Sequence, residues 1–304
     1  MSITAIEKNV LSSDKIHTLK GIVYLPDGKP KGIFHLVHGM TEYIGRYKNL
    51  LSFIASNGFV ACGFDNLGHG KTASESERGF IAEKDGYKYL IDDVFLFGNA
   101  VKQDYPDMPY FLMGHSMGSF IVRLTAEKYK DSIDRLIICG TGGPNPLGSI
   151  GIALCDVLML AKGKKGYSDF IENMAFGSYN KRFSGGGKYE WLTKDEAIKE
   201  AYAKDPLCTF RFTLSALKDL VKLNVLCNKK SWFENIRKDM PILLISGADD
   251  PVGDYSKGVQ TVYDLLKQNG SSVNMILYEN CRHEIHNDTC REQSASDILN
   301  FISE

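Results

Sequence analysis

The sequence predicts an α/β fold: a mostly parallel central sheet with helices on both faces and an inserted helical cap. Short apolar runs of strand length alternate with segments whose apolar residues recur at helical spacing, as strands wound with helices require. The alternation breaks only between residues 142 and 228, where Gly- and Pro-rich punctuation and helical patterns take over. Residues 142–228 are therefore expected as a cap, inserted into a core made of 1–141 and 229–304. With 304 residues, 43% hydrophobic and 24% charged, the chain has material for one such core with its insertion.

Taken in order, Ile3 to Val10 and His17 to Tyr24 alternate around Ser12-Ser13-Asp14-Lys15, which predicts an antiparallel opening hairpin. Gly32 to Val37 is a nearly continuous apolar run, as a strand covered on both faces would be, and it stops at His38-Gly39-Met40. Tyr47, Leu50, Leu51 and Ile54 share one helical face that Asn57-Gly58 closes, and Phe59 to Phe64 reads as a second buried strand. Leu90, Val94, Phe97 and Val101 mark a helix. Strands follow at Tyr110 to Met113 and Arg135 to Cys139, with helical spacing at Phe120, Ile121 and Leu124 between them. Beyond the cap, Pro241 to Ser246 and Val273 to Leu277 are strands flanking a helix from about Val259 to Lys267. Within the cap, Ile150 to Leu160, Lys194 to Ala203 and Leu214 to Leu223 have helical patterns, and Gly142 to Pro146 and Ser184-Gly185-Gly186-Gly187 are turns.

Composition excludes several classes. Thirty-six basic against 37 acidic residues leave a net charge of −1, and no basic run is interleaved with aromatics, so no nucleic-acid partner is expected. Seven cysteines include no C-x-x-C pair and several sit in apolar runs, which fits reduced, mostly buried thiols and a cytoplasmic location. Met1 to Val10 has no positive start followed by an apolar core, and nowhere do about 18 apolar residues run together, so neither a signal peptide nor a membrane span is expected.

The chemistry centres on Gly114-x-Ser116-x-Gly118, where a strand turns sharply into a helix. Glycines leave room beside a strained backbone that projects the Ser116 hydroxyl, and the helix start offers free N–H groups to a developing negative charge. A hydroxyl at its ordinary pKa needs a base and an acid that orients the base. In enzymes with this elbow the chain order is serine, acid, histidine, and only His283 and His286 follow Ser116. His283 is preferred, with His286 lining the pocket or lying at the surface. Asp250, in the strand-end loop Gly247 to Asp254, is the expected acid and Asp249 its reserve. The N–H groups of Met40 and Met117 are the expected oxyanion donors, while His38 bonds local backbone. Asp65-Asn66-Leu67-Gly68-His69-Gly70 also follows a strand, but no second ligand cluster accompanies it, so it reads as structural and neither metal nor organic cofactor is expected.

Nearly the whole chain resembles the monoacylglycerol lipase and lysophospholipase-like branch of the α/β-hydrolase superfamily. The motifs are His38-Gly39-Met40 with Glu42 and Gly45-Arg46-Tyr47, Asp65-x-x-Gly68-His69-Gly70, Asp104-Tyr105-Pro106, Gly114 to Gly118, Asp205-Pro206-Leu207, Gly247-x-x-Asp250, and Tyr278-Glu279 before His283. The resemblance implies a serine ester hydrolase with the triad Ser116, Asp250 and His283, acting on a small ester or monoacyl lipid through an acyl-enzyme. It also implies that Glu42, Arg46 and His286 line a polar end that receives glycerol; read from spacing alone, Glu42 and Arg46 are an i,i+4 ion pair. Met40 and Thr41 are larger than the residues usual there. An amide or peptide hydrolase on the same machinery is the alternative, and a hydrolase-fold binding protein without turnover a third reading. Ile150, Val157 and Leu160, followed by Lys162-Gly163-Lys164-Lys165, either pack over the pocket or give the cap a transient contact with a membrane surface.

Overall fold

The computed structural model describes residues 3–184 and 186–304; Met1, Ser2 and Gly185, the last in the expected Gly-rich turn, lie outside the described residues. The strands are β1 (Thr4–Leu11), β2 (Thr18–Leu25), β3 (Ile33–Val37), β4 (Val60–Phe64), β5 (Tyr110–His115), β6 (Arg135–Cys139), β7 (Ile242–Gly247) and β8 (Val273–Tyr278). The helices are α1 (Lys48–Ser56), α2 (Gly86–Lys102), α3 (Met117–Lys128), α4 (Gly148–Lys162), α5 (Asp169–Phe176), α6 (Glu196–Lys204), α7 (Leu214–Cys227), α8 (Lys230–Asn235), α9 (Lys257–Gln268) and α10 (Arg291–Ser303).

One sheet runs in the order β1-β2-β4-β3-β5-β6-β7-β8. The opening hairpin pairs antiparallel, with Thr4 opposite Leu25 and Leu11 opposite Thr18, and from β4 to β8 neighbours are parallel. The hairpin turn is fixed from outside itself: buried Asp93 on α2 accepts Ser13 N–H at 2.6 Å and Ser12 Oγ at 2.9 Å.

Every residue of β3, β4, β5 and β7 is buried, so alternation of side chains divides the core rather than separating core from solvent. Ile33, Val37, Val60 and Leu112 point into a core with Leu90, Val94 and Phe97 of α2 and Ile121 of α3. Phe34, Leu36, Ala61 and Met113 point the other way, onto Leu51 and Ile54 of α1 and Ile298 and Phe301 of α10. Ala61 apart, each such side chain contributes about 1.5–3 kcal/mol through burial. The winding direction reverses at β3, which lies between β4 and β5, so the carboxyl ends of β3 and β5 open side by side into the crevice where such sheets bind ligands.

Between β6 and β7 the chain leaves the sheet for α4 to α8. Three of these helices begin on side-chain caps: Ser168 accepts Ile171 N–H, Asp195 accepts Ile198 N–H and Thr213 accepts Ala216 N–H. Helix α7 packs against α2 and α3, and α4 packs on α7. The sequence pattern finds α4, α6 and α7 but not α5, α8 or α10. In α10 the apolar residues crowd into the last turns as Ile298, Leu299, Phe301 and Ile302, after a polar start that hides the period.

Candidate active site

Strand β5 ends at His115 and helix α3 starts at Met117, leaving Ser116 alone at the bend with φ 55° and ψ −122°. A non-glycine residue there stores about 1–3 kcal/mol of strain. The surroundings hold it: Ser116 N–H donates to the Cys139 carbonyl at 3.0 Å, and the Ser119 hydroxyl donates to the Ser116 carbonyl at 2.6 Å. A Cβ on Gly114 would overlap the Gly118 carbonyl, and one on Gly118 would overlap that of Val37, which is why both positions need glycine. Among the described residues the Ser116 hydroxyl has no hydrogen-bond partner, and it faces the same cavity as His283.

His283 Nδ1 lies 2.9 Å from Asp250 Oδ2, with both side chains buried. Asp250 Oδ1 accepts Val252 N–H at 2.8 Å, and Oδ2 accepts the Ser246 hydroxyl at 3.3 Å, so the carboxylate is aimed from its own loop. The loops after β7 and β8 meet backbone to backbone: Asp249 N–H donates to the Cys281 carbonyl at 3.0 Å, and a Cβ on Gly247 would overlap the carbonyls of Cys281 and Arg282. Asp249 points outward, 45% exposed and 4.0 Å from Lys194 Nζ.

Met40 and Met117, at the ends of β3 and β5, both line the cavity beside Ser116. Gly39 lets their segments approach, since a Cβ there would stand 2.9 Å from Ser116 Cβ. His38 ties the loop down: Nδ1 donates to the Gly39 carbonyl at 2.8 Å and Nε2 accepts Asn66 N–H at 2.9 Å. Burial lowers its pKa, consistent with that neutral tautomer. Asp65 accepts backbone N–H groups of Ile44 at 2.9 Å and Lys71 at 2.7 Å, and His69 Nδ1 donates to the Leu67 carbonyl at 2.9 Å.

Behind this surface lies an ionic network. Glu42 Oε1 accepts Gly39 N–H at 2.5 Å and Tyr47 Oη–H at 2.8 Å, while Glu42 Oε2 meets Arg46 at 3.1 Å. The expected i,i+4 pair therefore exists, but Arg46 bonds Glu284 more closely, bidentately at 2.6 and 2.7 Å. Burial works against both carboxylates; the His115 hydrogen bond, then His115 and Arg46 charge, hold Glu42 well below the usual range, and the charge and hydrogen bonds of Arg46 lower Glu284. Glu284 was not legible in the sequence; a charged residue next to the expected base was its only sign.

Two of the expected headgroup residues stand back from the cavity. Glu42 reaches the cavity wall, whereas Arg46 and His286 do not line it. Arg46 is drawn back by its two carboxylates, and His286 is stacked on Tyr47 with ring centroids 4.2 Å apart. Neither ring nitrogen of His286 has a partner among the described residues, and burial pushes its pKa down to about 3.

The cavity holds about 490 Å³, in the range of small-molecule sites. Core residues such as Phe120 and Val252 form one side, and Pro144, Phe176, Tyr179, Trp191 and Leu220 close it from the segment between β6 and β7. Trp191 lies against His283 with ring centroids 5.0 Å apart. No group of His, Cys, Asp or Glu able to hold a metal ion occurs among the described residues.

A family described as serine aminopeptidase, S33, matches residues 28–290. A thermostable carboxyl esterase from Bacillus coagulans, solved in complex with glycerol, is similar with a TM-score of 0.93 at 31% identity, covering 99% of each chain. Human monoglyceride lipase is 25% identical over 266 residues, 86% of this chain and 78% of that protein. Monoacylglycerol lipase of Mycolicibacterium smegmatis is 22% identical over 286 residues, 92% of this chain and 91% of that protein.

Proposed function

The chain belongs to the serine aminopeptidase S33 family of α/β hydrolases, and from that membership we propose a carboxylic ester hydrolase acting on monoacylglycerols or similar monoacyl lipids. The buried His283–Asp250 pair at 2.9 Å, facing the cavity of a strained Ser116, is the observation that carries the mechanism. Ser116 attacks the ester carbonyl while His283 takes its proton, and the N–H groups of Met40 and Met117 hold the oxyanion. His283 then protonates the leaving alcohol. Water, deprotonated by the same ring, clears the acyl-enzyme, and Asp250 keeps Nδ1 of His283 as the donor throughout.

The substrate class follows from the walls. Residues 142–228 act as the cap, and those that line the cavity are apolar or uncharged, including Pro144, Phe176, Trp191 and Leu220, which suits an acyl chain. Among the described residues no cap carboxylate lines the cavity, so the cap supplies no anionic group for the N-terminal amine that an aminopeptidase must hold; the lining carboxylates, Glu42, Asp254 and Glu284, come from the core. That favours the ester over the amide reading. Glu42 and Thr41 give the opposite end polar acceptors for an alcohol headgroup. The cap also meets lipid surfaces: Leu147, Ile150, Val157, Leu160 and Phe170 are all more than half exposed on α4 and its neighbours.

The deciding experiment compares p-nitrophenyl esters of graded chain length, monoacylglycerols and aminoacyl amides, with wild type and Ser116→Ala. Turnover of monoacylglycerols that disappears in the variant is expected. Ester turnover surviving in Ser116→Ala would overturn the mechanism, and preference for the amides would overturn the substrate class.

A further inference from the structure

His115, the residue before Ser116, is buried with both ring nitrogens committed. Nε2 lies 3.1 Å from the carbonyl oxygen of His283, which can only accept, so Nε2 carries a proton. Nδ1 lies 3.1 Å from Glu42 Oε1 and 2.7 Å from Tyr47 Oη, whose own proton is donated to that same carboxylate oxygen. With a proton on Nδ1 as well, the ring donates to Glu42 while the Tyr47 hydroxyl keeps its own bond to that carboxylate, so one carboxylate oxygen gathers both donors.

Charge balance agrees. Glu42 and Glu284 are two buried carboxylates, and Arg46 supplies one positive charge between them. A protonated His115 supplies the second, leaving no uncompensated charge in the network. Three other groups facing the ring bring none. His286 stands edge-on at 4.9 Å and is held neutral by burial, as is His38 at the end of β3. Cys139, paired with His115 across β5 and β6, is a thiol whose pKa burial raises. His283, with its ring centroid 4.6 Å away, is bonded to Asp250. Burial works against charge on His115, but hydrogen bonding to Glu42 and its negative charge prevail and raise the pKa.

We propose that His115 is a buried imidazolium and a positioning residue, joining the oxyanion loop through Glu42 to the nucleophile elbow and to the backbone of the base. Each arm ends beside a reacting group. Glu42 also holds Gly39 N–H, one residue before Met40; His115 adjoins Ser116; its other acceptor is the carbonyl of His283 itself. One ring therefore sets oxyanion donor, nucleophile and base relative to one another, whichever substrate enters. The effect on turnover rests on the ester-hydrolase reading; the protonation state does not.

The test counts protons on the ring by 1H–15N spectroscopy of the full-length protein at pH 8, where an ordinary imidazole is neutral. One histidine protonated on both nitrogens is expected, with its signal lost in His115→Asn and the ring reverting to a single proton in Glu42→Gln. Both variants are expected to lose about 10²-fold in kcat with KM within about threefold, because the reacting atoms drift while the cavity walls stay. A wild-type His115 carrying one proton at pH 8 would overturn the proposal, and so would full kcat in both variants. A wild type that turns over no ester sinks the functional reading instead, and the proton count still decides His115.

Discussion

The hydroxyl of Tyr202, on helix α6, donates to the Thr41 carbonyl at 2.9 Å and lies 2.8 Å from Thr41 Oγ1, one residue beyond Met40. Thr41 has φ 51°, a left-handed conformation that threonine adopts only under constraint. The segment that covers the cavity thus holds the Met40–Thr41 loop, the proposed oxyanion loop, in its strained shape. Tyr202→Phe keeps the ring over Arg46 but frees the loop. The expected result is a loss of about 1 kcal/mol in transition-state stabilisation, read as a several-fold fall in kcat with KM little changed.

Two adjacent aspartates give a paired test of the base loop. Asp250→Asn keeps the shape but replaces the acceptor of His283 Nδ1–H with a group able to present a donor, and about 10⁴-fold in kcat is expected to go. Asp249→Asn, at an exposed side chain 4.0 Å from Lys194, is expected to change kcat by less than about twofold. Steady-state rates on one chromogenic ester read both, and equal losses would contradict the assignment.

The proposed nucleophile, base and acid could be picked from the sequence because each sits at a strand end, and chain order sorts them: one serine elbow, one acidic loop, two later histidines. The buried strands were equally clear, since β3, β4 and β5 are covered on both faces and read as unbroken apolar runs. The ionic network was not. Arg46 and Glu284 are 238 residues apart, so a local window sees only Glu42 four positions away and misses the closer partner. His286 was singled out by the resemblance; in the fold it stacks on Tyr47 and does not line the cavity. Helix α5 was hidden for another reason. It is only eight residues long, about two turns, too short for its apolar pairs Phe170-Ile171 and Met174-Ala175 to establish a period.

Arg46 is the counter-charge for two carboxylates that are each about 97–98% covered. Arg46→Met leaves them facing one another without it, and a loss of about 3–5 kcal/mol is expected in urea denaturation at pH 7.5. Adding Glu284→Gln removes one of the stranded charges and is expected to restore part of that loss. A single variant as stable as wild type would mean that solvent reaches the network.

On the cap, Leu160 is 89% exposed and Phe170 64%, so replacing both with serine touches no core. Sedimentation with phosphatidylcholine vesicles is expected to weaken by about tenfold or more, while turnover of a water-soluble ester stays the same. Salt is expected to matter little. Of the two lysines just after α4, Lys164 pairs with Glu83 at 3.2 Å and Lys165 lies over the Phe80 ring at 4.5 Å, so each already has a partner on the protein. Unchanged sedimentation would leave the apolar cap face without a membrane role.

His286 couples stability to pH in a direction its geometry sets. Its folded pKa is pushed down to about 3, against 6.5 for an ordinary histidine. As pH falls below 6.5 the unfolded chain binds a proton that the folded ring refuses, so stability drops steadily until pH approaches 3. His35 and His69, also buried and pushed to about 3, act in the same sense. His115 runs opposite: its raised pKa gives stability that is fully present below 6.5 and lost as pH rises through its folded value. His286→Phe keeps the stack on Tyr47, removes two unpartnered nitrogens and deletes one acid-sensitive site. Relative to wild type, its urea stability is expected to gain about 1 kcal/mol for each pH unit below 6.5, with KM for a monoacylglycerol unchanged. A pH slope identical to wild type would mean that His286 is charged or hydrogen-bonded in the fold, and a raised KM would return it to the substrate site.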